Sequence, residues 1–121
     1  MATPDLVNVA TLNGNTIAWA VTTSDADIID AAADKLLKVN CLYVSNVDGT
    51  NDATVSVSIS VDNGSNYYHL AKTVTVPADS TVHIIDKNTA VYLDETDLLR
   101  IVGSAANDME YVCSFEELDD A

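Results

Sequence analysis

Thr54-Val55-Ser56-Val57-Ser58-Ile59-Ser60-Val61 alternates hydroxyl and aliphatic side chains without interruption. Successive side chains on a strand point to opposite faces, so the stretch predicts a strand with Val55, Val57, Ile59 and Val61 on a core. Thr54, Ser56, Ser58 and Ser60 then form a short, uncharged outer row, either plain solvent-facing sheet or a surface for close packing against a neighbouring subunit. Turn-forming runs bracket the strand: Asp48-Gly49-Thr50-Asn51-Asp52 before it and Asp62-Asn63-Gly64-Ser65-Asn66 after it.

The same grammar recurs on both sides. Thr16 to Thr23 places Ile17, Trp19 and Val21 at alternate positions and reads as a strand with Trp19 buried as a core anchor. Leu36 to Val47, with Leu42 and Val44 opposed to Cys41 and Tyr43, reads as a central strand covered on both faces. Tyr68, Leu70, Val74 and Val76 share one face of a strand that Lys72 interrupts and Pro77 ends. Val82 and Ile84 then oppose Thr81, His83 and Ile85, and Ala90 to Leu93 follows after a bend. Leu99 and Ile101 alternate with Arg100 in Leu98 to Val102, and Tyr111, Cys113 and Phe115 alternate in Met109 to Glu116.

Two segments are ambiguous. The first dozen residues alternate weakly, form a strand or an arm, and break at Asn13-Gly14, a pair that favours a turn. In Ser24 to Asp34 a helix capped by Ser24 and carried by Ala31-Ala32-Ala33 competes with a strand through Ile28 and Ile29. The pattern as a whole predicts an all-β protein, an antiparallel β-sandwich that is jelly-roll-like or immunoglobulin-like. It has about eight strands and at most one short helix near residues 25–34. One domain spans residues 1–121, with an extended N-terminal arm over 1–12 and a frayed acidic C-terminus over 117–121.

Charge narrows the partners. Five basic residues against 19 acidic ones leave a formal net charge of −14, which repels phosphate backbones and anionic lipid heads. Neither nucleic acid nor a membrane surface is expected as a partner. Met1-Ala2-Thr3-Pro4-Asp5 has neither the charge nor the apolar run of a signal peptide, so synthesis in a cytosol is expected. Cys41 and Cys113 fall inside predicted strands and read as buried, reduced thiols.

No catalytic, cofactor-binding or metal-binding residue is assigned, and no cofactor. His69 and His83 sit on strands among hydroxyl neighbours and read as surface histidines. Gly-x-Ser-x-Gly, His-Glu-x-x-His and phosphate-cradling Gly-Lys-Thr sequences do not occur. Asp48 with Asp52, Asp94-Glu95 with Asp97, and Glu116-Glu117 with Asp119-Asp120 have the oxygens for calcium but not EF-hand spacing, and read as solvated turn charges. Arg100, the sole arginine, lies in an apolar strand and calls for a carboxylate partner, more readily within the chain than from another subunit. The chain reads as a non-enzymatic scaffold. Leu6, Val7, Val9 and Leu12 form an apolar arm that adds either to its own sheet or to a neighbour's.

Four stretches together carry a resemblance: Lys38 to Thr50, Val76-Pro77-Ala78-Asp79-Ser80, Val91 to Asp97 with Leu99-Arg100-Ile101, and Val112 to Glu117. In order and spacing they resemble small virion structural proteins of tailed bacteriophages, especially marine and cyanobacterial phages. Such proteins are β-sandwich accessories of the particle: capsid decoration or cement proteins, and neck or tail attachments. The resemblance implies a capsid decoration protein on the outer head surface. It would bridge major capsid subunits, would be a homo-oligomer with a trimer favoured, and would be made in the host cytoplasm. A neck, tail or fibre-base component and a carbohydrate-binding attachment module are the alternatives. The turn Asp94-Glu95-Thr96-Asp97 departs from the family pattern in lacking a glycine.

Overall fold

The computed structural model describes residues 11–32 and 35–119. Nine strands follow in order: β1 (Thr11–Ala20), β2 (Ala26–Asp30), β3 (Lys35–Asn46), β4 (Ala53–Ser60), β5 (Tyr68–Val76), β6 (Thr81–Ile85), β7 (Val91–Leu93), β8 (Leu98–Gly103) and β9 (Met109–Asp119). Among the described residues there is no helix. The competition over residues 24–34 resolves in favour of the strand, because Ala26 to Asp30 pairs with β8 and a short helix would forfeit that ladder.

One sheet runs β1-β9-β3-β6, with β7 also on β3, and the other runs β2-β8-β4-β5. All pairings are antiparallel. β6 and β7 lie end to end along β3, on Leu42 to Ser45 and on Leu37 to Val39 respectively, so they occupy one strand position. Eight positions remain, with the first strand beside the last and the second beside the next to last. That nesting is the jelly roll.

Between the sheets lie Leu42, Val44, Val57, Val76, Leu93, Leu99 and Met109, all with no exposed surface. Each such aliphatic side chain contributes about 1.5–3 kcal/mol relative to exposure. Bulges decide which residues reach this core. In β3 the register shifts between Val39 and Cys41, so Leu37 and Val39 before the shift face inward together with Leu42 and Val44 after it. In β5 two shifts put Ala71, Val74 and Val76 opposite Val57, Val55 and Ala53 on the core side, while Tyr68, opposite Ile59, stays exposed. The simple alternation through Leu70 and Lys72 therefore fails. In β6 a shift turns Ile85 inward opposite Leu42, away from the side of Thr81 and His83 to which alternation assigned it.

Three further expectations are corrected. Asn13-Gly14 makes no turn; β1 runs straight through it, paired with Glu117 and Glu116 of β9, so ladder pairing overrides local turn preference. Glu117 to Asp119 are not frayed but continue β9 between β1 and β3, where Lys35 Nζ donates to Glu117 Oε1 at 2.6 Å and Asp119 Oδ2 at 3.0 Å. Val61 is 63% exposed because β4 ends at Ser60. The expected arm lies outside the described residues up to residue 10, as do Asp120 and Ala121; Thr11 and Leu12 already belong to β1.

Asn46 shows how the end of the sandwich is fixed. Its buried side chain donates from Nδ2 to the carbonyls of Asn51 and Val76, both at 2.9 Å, and accepts from Asp48 N–H at 3.0 Å. A buried amide so satisfied ties β3, the turn before β4 and the end of β5 together.

Candidate functional site

The outer row of β4, expected as a contact surface or as plain solvent-facing sheet, is partly engaged within the subunit. Ser104 Oγ accepts from Thr54 N–H, and Ser56 Oγ accepts from Thr73 N–H, each at 2.8 Å. The second bond steadies a threonine held at φ 52 in the bulged part of β5. Ser60 is fully buried on the outer side of its sheet: Oγ donates to Asp62 Oδ1 at 2.9 Å and accepts from Gly64 N–H at 2.8 Å. The turn after β4 thus folds back over the sheet. A side chain at Gly64, whose φ is +89°, would press on Leu98 and the Tyr67 hydroxyl.

Tyr67 and Arg100 complete this cover. The Arg100 guanidinium lies 3.6 Å from the Tyr67 ring centroid, its Nε donates to Asp27 Oδ1 at 3.0 Å, and its Nη1 is 3.5 Å from Asp25 Oδ2. The Tyr67 hydroxyl donates to the same Asp27 oxygen at 3.0 Å. The Asp27 bond holds Arg100 more firmly charged, while desolvation first and then the bond to Asp27 raise the tyrosine pKa. Arg100 therefore pairs inside the chain, as its setting in an apolar strand predicted. Ser58 sits opposite Arg100 in the ladder and is buried. Tyr67's part in this network had no sequence signal, because only the back-folded turn brings it over β8.

The acidic groups serve as loop braces. Asp48 accepts from Thr50 N–H at 2.8 Å and from Asn51, and these bonds hold its carboxyl below the usual range. Asp62 accepts from the Asn66 side chain at 2.8 Å and its N–H at 2.9 Å, with the same effect. Asp97 is buried, accepts from Asp94 N–H at 2.9 Å, and has its carboxyl raised by burial. Its turn does without glycine by placing Thr96 at φ 68, held by Thr96 N–H to the Ala31 carbonyl at 2.8 Å. Among the described residues no three metal-ligating side chains gather to hold an ion.

His69 and His83 are exposed and lie on different sheets; His83 packs beside Tyr43 at 5.4 Å between ring centroids. Cys41 and Cys113 are both free, and burial pushes the Cys113 thiol up to about 12. That thiol is inert at neutral pH.

Trp19 reverses its expected role. It lies opposite Tyr111 on the inward side of β1, yet it is 73% exposed. β1 is the outermost strand of its sheet, so the facing sheet does not extend over this tryptophan. A shallow groove of about 410 Å³ runs beside it, lined by Ala18, Trp19, Ala20, Glu110, Tyr111 and Val112. The other large exposed aromatics, Tyr68 and Tyr92, sit on β5 and β7. They form no common aromatic face with Trp19.

These features define a jelly-roll β-sandwich whose outward character lies in its edges and acidic turns. No protein-family profile matches the sequence, and no curated protein does. Solved structures do. A protein of the Bacillus endospore appendages, a family of disulfide-linked pili, matches with TM-score 0.55 and 16% identity, over 100% of both chains. A chain from the acidic stable capsid of Helicobacter pylori bacteriophage KHP30 matches with TM-score 0.52 and 10% identity, over 93% of this chain and 91% of that one. A pentameric capsid protein from metagenomic phage sequences matches with TM-score 0.45 and 17% identity, over 97% of this chain and 65% of that one. At these identities the likeness is one of fold.

Proposed function

We propose that this protein is a non-enzymatic structural component of a bacteriophage virion, a decoration or cement protein seated on the outer face of the head. The observation that carries the reading is the jelly-roll wiring, which a phage capsid chain shares over nine-tenths of both lengths. The net charge of −14 supports an outer position, since a lumen lined with DNA would repel it. The mechanism is mechanical. Many copies, each bridging neighbouring major capsid subunits through a small contact, add up to a lattice that resists the pressure of packaged DNA.

Locating the protein in an intact particle by electron microscopy tests this. Hundreds of copies on the head, with trimers as the favoured unit, are the expected result; six or twelve on the tail axis would assign it to the neck or tail instead. Binding of the purified protein to DNA at physiological salt would count against an outer decoration role.

A filament subunit is the second reading, favoured by the full-length likeness to the Bacillus appendage protein. That protein's pili are disulfide-linked, whereas Cys113 here is buried in the core. Reducing and non-reducing gels of the assembled material separate the two readings: a covalent ladder supports the filament.

A further inference from the structure

We infer that β1 is an assembly edge that pairs with β1 of a second copy, extending the β1-β9-β3-β6 sheet across a two-fold axis. Among the described residues the sandwich has four edge positions, and three are guarded. β2 has five residues, a bulge and two aspartates; β5 carries Lys72 and two bulges; β6 and β7 are short and interrupted. β1 alone is long, ten residues, with an unbroken register on β9 and no charged residue or proline. Proteins ordinarily protect such an edge because its free N–H and C=O groups recruit another strand.

The make-up of the edge points to a second copy rather than an unrelated strand: β1 is uncharged along its whole length and sets apolar Ile17 and Trp19 on one side, so two such strands complement each other. Two molecules of −14 repel one another, and the penalty is least where the approaching strands carry no charge. Of the described edges, only another β1 is equally unguarded. Antiparallel pairing centred on Ala18 sets Trp19 of each copy beside Ile17 of the other, on the same side of the joined sheet. Trp19, 73% exposed in the single subunit, then gains an apolar neighbour. A tryptophan buries roughly 150–250 Å². Two tryptophans and one strand pair fall short of the roughly 1,600 Å² of a standard stable interface, so the dimer is weak alone and strengthened in a lattice. This inference holds for a head, a tail or a filament, and its test is independent of where the protein resides.

Sedimentation velocity of the purified chain, from about 10 μM to about 1 mM, reads the equilibrium. A reversible monomer–dimer transition is expected. Ala18→Lys and Ala18→Glu each place like charges opposite one another and weaken association by about tenfold or more. Mixing the two variants restores a dimer, an outcome that misfolded variants would not give. A wild-type protein that stays monomeric throughout, association that ignores both substitutions, or a mixture that fails to recover would each overturn the inference.

Discussion

β1 and β5 are both outermost strands, one on each sheet, and they treat exposure in opposite ways. β5 shifts register twice, places Thr73 at φ 52 and carries Lys72, so its edge is bent and charged. β1 keeps its register for ten residues and carries no charge. In a chain with 24 ionisable acids and bases of fixed sign, 19 acidic and 5 basic, an uncharged ten-residue edge is a local exception. A bent, charged edge blocks strand addition, and a straight, neutral one permits it.

Substitutions at the two edges test this contrast, and the largest effect belongs to the anchor of β5. Val76 is fully buried, so Val76→Ala should cost about 2 kcal/mol in urea unfolding, from lost transfer energy and a residual cavity. Trp19→Ala, although it removes a far larger side chain, should change monomer stability by less than about 0.5 kcal/mol. Equal losses at the two sites would mean that Trp19 packs as part of the core. Thr73→Gly should raise stability by about 1 kcal/mol, since relief of left-handed strain exceeds the entropy glycine adds to the unfolded chain. A loss there would show the bulge to be unstrained. Ser56→Ala should cost about 0.5–1.5 kcal/mol by leaving Thr73 N–H without its acceptor.

The smallest effect is on acidification. Asp62 braces the turn leading to β5 and has a depressed carboxyl pKa, so its contribution to stability is present above the unfolded value near 4 and is lost as pH falls through the folded value. β1 contains no side chain that titrates in this range. Amide protection factors, the exchange rates referred to the intrinsic rate at each pH, should therefore fall at Gly64 and Asn66 at low pH before they fall at Ile17, and Asp62→Asn should reduce that difference. A uniform loss of protection would contradict the local origin.

Much of the sandwich was legible in the sequence, since period-two alternation and turn residues mark strands whatever their neighbours. β4, β8 and the inward row of β9 follow directly from that pattern. The bulges in β3, β5 and β6 were not legible, because an extra residue is defined by the partner strand opposite it. Trp19 misled for a related reason: alternation says which way a side chain points, but not whether another sheet lies above it. The outer row of β4 was only partly legible likewise: local pattern gives its hydroxyls as uncharged and outward, but Ser58 and Ser60 are buried, and the back-folded turn that takes up the Ser60 hydroxyl has no signal within the strand.

The pairing of β1 with β9 also bears on synthesis. Thr16 and Ser114 touch hydroxyl to hydroxyl at 2.9 Å across 98 residues of chain. On the ribosome β1 emerges early, and its partner follows only after the seven intervening strands have been made. Contacts of such long range form slowly, and until β9 arrives β1 lacks the partner strand it has among the described residues. During that interval the growing chain is most vulnerable to mispairing, and as its acidic segments emerge, mutual repulsion keeps neighbouring nascent chains apart.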